Sequence, residues 1–589
     1  MLSAQQQPHP ASLNPDQQAV SSFPALVLFI LALIVLLVPT LVATPDLLNG
    51  VVIDDAFYYF KTARNISMGI GSTFDGIHLS NGYHPLWMIV LVVLFKLFPN
   101  GGETPVRFAL FLQALMGAMG TVVLYQALSK SIRKEIALLA ALIWITWSNR
   151  FLVNGLETSL YSLFVVLSLY WWVHHINGNP LGMKTWRYAV FGLILALSCL
   201  ARIEGVIVAA SYTVVLFFQM RNRLAQDMRR FWANFSVYLT LLALPVAAYV
   251  LWNYYTFGVL LPVSGSTKLA WRATQDVYTQ FSADSILKLL FQPFLQSDHV
   301  LVIGIFLSPI AYLLLISRRL NVNTGLAKQI ISWLPLLLGS LSLWIFYMVA
   351  FWGPHSWTVW YYVPNRVIAL VTVAMLAEII ANNIYATALP GRRGFFIALF
   401  VGWVLWATWG FGISPLRVLI LIFCGFLSFL ILKARLFTGE ARRWIGFFLA
   451  ILLLVAVPFM TVLRTMGYPV AVHSPYLVYR GAQWLHNETE PDTIAAAWNA
   501  GIIGYYSNRT VINLDGLINS PDYYQRIQKD GLDQYLLDEG VDYIVDCLAW
   551  QPETVVGAKV HLQEIVTPVS NLVALDNGCR LRVYHVSRN

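Results

Sequence analysis

Charge is what this sequence has least of. Only 11% of its 589 residues are Asp, Glu, Lys or Arg, against about a quarter in soluble globular proteins. Hydrophobic residues make up 58%, and the mean hydropathy is +0.64. Apolar runs of that extent exceed what a water-exposed fold buries, which excludes a soluble globule and leaves a polytopic membrane protein. Metal ligands at useful spacing are also missing: there is no His/Cys cluster and no HExxH, and Asp46, Asp54, Asp55 and Asp75 are too loosely spaced for a cage. No cofactor and no metal is expected. No glycine-rich loop for a free nucleotide occurs on the cytoplasmic side. Cysteine is limited to four positions. Cys199 and Cys424 lie in apolar spans as packing residues, whereas an oxidising compartment would permit a disulfide between Cys547 and Cys579.

What charge there is carries topology. The formal net charge of +9 is gathered in short basic clusters between apolar runs, the pattern that orients a chain in a membrane and not one that binds nucleic acid. Residues 1–21 form a polar tail without Lys or Arg, expected in the cytoplasm. Phe23 to Leu41 is long enough for a retained first span and too long for a signal-peptide core. Further spans are expected at 106–128, 136–153, 156–175, 187–201, 205–220, 233–252, 298–316, 329–350, 361–381, 395–411, 415–433 and 444–463, about thirteen with the first. The segment Pro85 to Pro99 is short and bounded by proline. Counting it as a span would place Lys130, Arg133 and Lys134 outside, so it reads as an interfacial or re-entrant helix. The run 187–220 reads as two short spans broken at Ala201-Arg202-Ile203-Glu204-Gly205, because a single span would invert every later basic loop. Residues 22–463 are thus the membrane module, with a large first outer loop at 44–105.

From Arg464 the apolar runs shorten and acids become frequent. Strands are expected at Thr493 to Trp498, Thr510 to Leu514, Val541 to Cys547 and Arg580 to Val586, and helices at Tyr476 to His486 and Leu532 to Glu539. Residues 464–589 therefore read as a soluble α/β domain large enough for its own core. Parity places it on the outer face.

The chemistry is expected where lipid ends and outer water begins. Asp54 and Asp55 emerge there from the first span, followed by aromatics and by Asn81-Gly82-Tyr83-His84-Pro85. Intramembrane-edge carboxylates are costly to keep and suit proton transfer. The same face holds Glu157 at the start of a span, Arg202 and Glu204 at a break, Lys268 at the end of Pro262-Val263-Ser264-Gly265-Ser266-Thr267-Lys268, and His355, Tyr361 and Tyr362 in another loop. Such a set fits one reaction class: a carboxylate activates an acceptor hydroxyl while Lys, Arg or His neutralises a phosphate leaving group on a lipid, which is glycosyl transfer from a lipid-linked sugar. Plainer readings stand beside these. The acid pair and Glu157 also suit helix caps, Arg202 and Glu204 a structural ion pair, His84 packing, and Lys268 an ordinary solvated cation.

The plan resembles the GT-C superfamily of membrane glycosyltransferases, and within it the protein O-mannosyltransferase and lipid A aminoarabinose transferase group. The likeness rests on one span, an outer loop opening with an acid pair, a short helix begun by proline, many further spans and an outer domain. Where that group has Asp-Glu and an aromatic helix, this chain has Asp54-Asp55-Ala56-Phe57-Tyr58-Tyr59. Its Glu-Lys-Pro is matched by Tyr83-His84-Pro85, with His84 in the Lys position and Phe57 in place of a basic residue. The resemblance implies Asp54 as the catalytic acid or base supported by Asp55, and Glu157 as a second outer-loop acid. It also implies a polyprenyl-monophosphate sugar as donor, while the departures at His84 and Phe57 weaken the match at the donor phosphate. On the residues themselves, His84, Lys268 and Arg202 are expected on the phosphate and Glu204, Tyr83 and Tyr361 as acceptor or support residues. The acceptor would be a lipid, glycan or protein, and the membrane a prokaryotic plasma membrane. A transporter or lipid flippase is the rival reading. It would show two related halves and broken helices near the midplane, and no second copy of the 53–87 stretch is found.

Overall fold

The apolar runs fold as helices in a computed structural model of the chain. The structure describes residues 15–41, 48, 51–99, 102–177, 183–221, 227–274, 302–316, 332–350, 359–386, 474–567, 573–574 and 578–588. The expected spans at 395–411, 415–433 and 444–463 lie outside the described residues, as does His355. In chain order the membrane module has helices α1 (Pro15–Leu37), α2 (Asp54–Ser67), α3 (Pro85–Leu97), α4 (Thr104–Ser129), α5 (Lys134–Leu152), α6 (Thr158–Trp171), α7 (Thr185–Ala201), α8 (Gly205–Arg221), α9 (Met228–Phe257), α10 (Val263–Thr274), α11 (Ser308–Ile316), α12 (Leu334–Ala350) and α13 (Val363–Ala386). Among the described residues, four helical stretches have the length and apolarity to cross a bilayer: Pro24–Leu41, Thr104–Ser129, Thr158–Ile176 and Met228–Phe257. Shorter apolar helices accompany them, including Pro85–Leu97. The protein is an integral membrane protein built on helices.

Two features of the sequence shape this module. Pro85 occupies the first turn of α3, where its missing N–H costs nothing and its fixed φ starts a helix. Between α7 and α8 the chain leaves helical geometry at Arg202, whose φ of −149° and ψ of 130° are extended. The run 187–220 is accordingly two helices, and Gly205 lets α8 begin against the backbone of Ser198 and Cys199. An aromatic cluster of Trp172, Phe191, Tyr212 and Tyr238 seals α7, α8 and α9 together.

The C-terminal region forms α14 (Ser474–Glu488), β1 (Ile494–Ala497), α15 (Ala500–Tyr506), β2 (Thr510–Asn513), α16 (Tyr523–Asp530), α17 (Leu532–Asp538), β3 (Tyr543–Leu548), α18 (Glu553–Val556), β4 (Val560–Glu564) and β5 (Arg580–Arg588). Its five-stranded sheet has the order β2-β1-β3-β5-β4. β1 is parallel to β2 and to β3, and β5 is antiparallel to β3 and β4. Ala495, Ala497 and Val545 face a core shared with the membrane module, while Ala496, Ile512 and Ile544 face a second core under α16 and α17. Period-2 alternation, with both faces buried, explains why these strands read clearly in the sequence. β4 was not expected, because Val-His-Leu-Gln-Glu is a largely exposed edge strand with little apolar signal. Cys547 and Cys579 form a disulfide that ties the end of β3 to the approach of β5.

Candidate active site

The segment between α1 and α4 meets the C-terminal region at the acid pair. Asp54 and Asp55 open α2, where carboxylates complement the positive helix end. Successive helical residues diverge by about 100°, so the two carboxylates serve different partners. Asp54 accepts the N–H of Gly501 through Oδ2 at 3.1 Å and of Ile502 through Oδ1 at 2.8 Å. That approach requires glycine at 501, since a Cβ there would overlap the carbonyl oxygen of Asp54. Burial pushes the Asp54 carboxyl up to about 8, opposed by the two N–H donors and reinforced by Asp55 and Asp546. Asp55 exerts its charge on Lys268 and on Asp515.

One turn along α2, Tyr58 donates its hydroxyl hydrogen to Asp515 Oδ2 at 2.9 Å and accepts from Asn513 Nδ2 at 3.2 Å. Asp515 also accepts the N–H of Leu517 at 2.7 Å; burial lifts its carboxyl to about 7 against that bond, and the charge of Asp55 adds to the rise. Asp546, in β3, is fully buried and accepts the N–H of Trp498 at 2.8 Å and of Asn499 at 2.9 Å. Sequence reasoning had not singled out Asp515 or Asp546. The signal for Asp546 is a carboxylate inside an otherwise apolar strand, and for Asp515 an Asp-Gly pair directly after one.

A second group lies deeper, where the breaks before α6 and α8 converge. Arg202 is almost fully buried and pairs with Glu157 through Nη1 and with Glu204 through Nη2, the latter at 3.2 Å. Its guanidinium also stands 5.1 Å from the Tyr361 ring centroid. Glu204 accepts the hydroxyl of Tyr347 at 2.7 Å. His84 brings Nε2 to 3.7 Å from Glu157 Oε1, and its Nδ1 accepts the N–H of Ile203 at 3.4 Å. Burial lowers the His84 imidazole's proton affinity, Glu157 opposes this and Arg202 adds to it, so the ring is neutral with its hydrogen on Nε2. Lys268 bonds the Tyr361 hydroxyl at 2.5 Å and projects from α10, next to Thr267, whose hydroxyl donates to the carbonyl of Gly516 at 2.8 Å. Lys268 therefore links the two groups, since both Asp55 and Glu204 act on its charge.

Glu157, Arg202, Glu204, His84, Lys268 and Tyr361 are thus brought together, with Asp55 beside Lys268. Asp54 faces the C-terminal domain instead, and the Tyr83 hydroxyl lies 2.5 Å from Ser72 Oγ in the outer loop, apart from the cluster. Among the described residues the cluster is incompletely satisfied: Glu157 Oε2, Glu204 Oε2 and Arg202 Nε are buried and have no hydrogen-bond partner there. Orphaned buried oxygens and an orphaned guanidinium nitrogen in one place suit a ligand that supplies both hydroxyl donors and an anionic acceptor.

A similar arrangement of helices occurs in solved structures. The fold is that of the GT-C glycosyltransferases. The oligosaccharyltransferase AglB from Archaeoglobus fulgidus, in complex with an inhibitory peptide and a dolichol-phosphate, superposes with a TM-score of 0.51 at 11% identity over 90% of this chain and 70% of its own. ArnT from Cupriavidus metallidurans in the apo state gives a TM-score of 0.51 at 13% identity, over 96% of this chain and 98% of its own. Residues 473–584 match a family described as a domain of unknown function (DUF8728). No curated protein matches the chain by sequence.

Proposed function

We propose that this protein is a glycosyltransferase that moves a sugar from a polyprenyl-monophosphate carrier to an acceptor hydroxyl on the outer face of a prokaryotic plasma membrane, with its N-terminus in the cytoplasm. The observation that carries this reading is the buried Glu157–Arg202–Glu204 group with its unpartnered oxygens, set beside Lys268 and the acid pair within a GT-C fold. A dolichol-phosphate bound to the structurally similar AglB supports the donor class. The disulfide supports an outer, oxidising location for the C-terminal domain, which supplies Asp515 to the same site.

The base is Asp55. Asp54 has both carboxylate oxygens engaged by Gly501 and Ile502, and its role is to seat the C-terminal domain. Asp55 takes the proton from the acceptor hydroxyl as that oxygen bonds to the anomeric carbon. The bond from that carbon to the phosphate oxygen breaks, and the polyprenyl phosphate departs with its negative charge facing Lys268 and Arg202. Glu157 and Glu204 accept hydroxyls of the donor sugar through the oxygens that have no partner among the described residues, and neutral His84 adds an Nε2–H donor. Tyr361 positions the Lys268 ammonium. A monophosphate leaving group requires only these cations, so no metal is invoked.

The test is release of label from a panel of radiolabelled polyprenyl-phosphate sugars by purified protein in lipid. Wild type and Asp54→Asn should release sugar from one donor, with Asp55→Asn slower by roughly 10²–10⁴-fold, the usual worth of a general base. Release by Asp55→Asn at the wild-type rate would remove the base assignment, and no release from any donor would remove the reaction class.

A further inference from the structure

The three parallel strands of the C-terminal sheet end on one edge, and that edge faces the acid pair. β1 runs into Trp498 and Asn499, β2 into Asp515, and β3 into Trp550. In open α/β sheets the carboxyl ends of parallel strands are where ligands are held. Trp498 and Trp550 pack edge to face with ring centroids 4.7 Å apart and planes at 77°. Trp550 is 39% exposed, so part of its ring is open to a ligand. Neither indole N–H donates to any described residue.

The pair belongs to the site by direct connections. The carbonyl of Trp498 lies 3.2 Å from the Tyr58 hydroxyl, which is itself bonded to Asp515. Three residues after Trp498 comes Gly501, whose N–H holds Asp54 at 3.1 Å. An extended chain advances at most about 3.6 Å per residue, which puts the Trp498 backbone within about 11 Å of that hydrogen bond. Asp546 holds the backbone N–H of Trp498 at 2.8 Å, with Asn499 Nδ2 on its Oδ1 at 3.0 Å.

We propose that Trp498 and Trp550 form a stacking platform for the acceptor, and that the acceptor is a neutral glycan; this deepens the glycosyltransferase reading above and rests on it. The C–H face of a sugar ring is complementary to an electron-rich indole, and the free indole N–H groups offer donors to ring or hydroxyl oxygens. Charge selects among acceptors. Asp55 and Asp515 border this edge with Asp54 and Asp546 behind them; burial and the crowding of acids already oppose ionisation there, so a further anionic group is disfavoured while neutral hydroxyls are not. The cations Arg202 and Lys268 stand on the donor side of Asp55 instead. The arrangement thus divides an anionic donor from an uncharged acceptor.

The experiment is a titration of the full chain in lipid nanodiscs with neutral trisaccharides (mannotriose, cellotriose and chitotriose) and with the anionic trigalacturonate, read by saturation-transfer NMR, for wild type, Trp550→Ala and Trp550→Phe. At least one neutral trisaccharide should bind, with affinity falling about tenfold in Trp550→Ala and kept in Trp550→Phe. Trigalacturonate should not compete. No neutral trisaccharide binding, equal binding of trigalacturonate, or unchanged affinity in Trp550→Ala would each overturn the proposal. Label release from the polyprenyl donor is scored separately. Trisaccharide binding without release from any donor would support the glycan site and remove the transferase reading.

Discussion

The carboxylate of Asp54 accepts the backbone N–H of Ile502 at 2.8 Å, across 448 residues of sequence. One member of the acid pair therefore contacts the C-terminal region directly, which is the basis of the docking role proposed for Asp54. Leaving a buried N–H without its acceptor costs about 1–3 kcal/mol, so Asp54→Ala should loosen the domain, raising hydrogen exchange across 500–506 and at Asp515. Asp55→Asn should leave that exchange unchanged while transfer is lost. Equal exchange in wild type and Asp54→Ala would remove the docking role.

Arg202 stands between two buried carboxylates, Glu157 and Glu204. Removing one partner of a buried pair costs about 3–5 kcal/mol because the remaining charge is left uncompensated. Arg202→Ala should lower the melting temperature sharply, and the triple change with Glu157→Gln and Glu204→Gln should recover most of the loss without restoring activity. Arg202→Lys should also fail, since an ammonium cannot reach both carboxylates with the planar geometry of a guanidinium. Wild-type stability in Arg202→Ala would show that the pair contributes nothing.

Much of this was legible in the sequence, and what was not has a physical cause. Apolar runs announce helices at any depth, so α4 to α9 lie close to the expected spans, and the break at Arg202 could be placed because charge in the middle of an apolar run demands an exit. The acid pair was singled out because carboxylates at a lipid boundary are costly. The contacts between Asp54 and Ile502, and between Tyr58 and Asp515, could not be read: they join segments hundreds of residues apart, and neither a backbone N–H nor a single Asp leaves a pattern in one sequence. The difference in partners between Asp54 and Asp55 was hidden for the same reason. Helices α15, α16 and α18 are too short to show a periodicity.

The disulfide closes a loop across a sequence separation of 32, for which the chain-entropy account gives about 3–4 kcal/mol. Reducing it in the folded protein should lower the thermal stability of the C-terminal domain and, because that domain carries Asp515, activity should fall at a lower temperature than in the oxidised protein. Cys547→Ser with Cys579→Ser should behave as the reduced form does. Identical melting with and without reductant would remove the disulfide from the stability of the site.

His78 joins the outer loop to the C-terminal domain. Its Nδ1 lies 2.7 Å from Asp75 Oδ2 and its Nε2 lies 3.1 Å from Glu539 Oε2, while Arg526 holds the other oxygen of Glu539 at 2.7 Å and packs on Tyr535. Burial works against the imidazolium, but Asp75 and then Glu539 outweigh it, and the His78 pKa is raised above its ordinary 6.5. A group whose folded pKa is raised stabilises the fold fully below its unfolded value and loses that contribution as pH rises through the folded one. Asp75 runs the other way: burial alone would raise its carboxyl, but the bonds from His78 and the loop N–H groups depress it, so its contribution is present above its ordinary value and lost only in acid. The junction should therefore be tightest on the acid side of neutrality and loosen as pH rises past 6.5. Hydrogen exchange of residues 74–80 and 532–540 should increase across that range in wild type and vary little with pH in His78→Gln. Exchange that falls with rising pH, or a wild-type profile retained in His78→Gln, would show that His78 does not hold the two parts together.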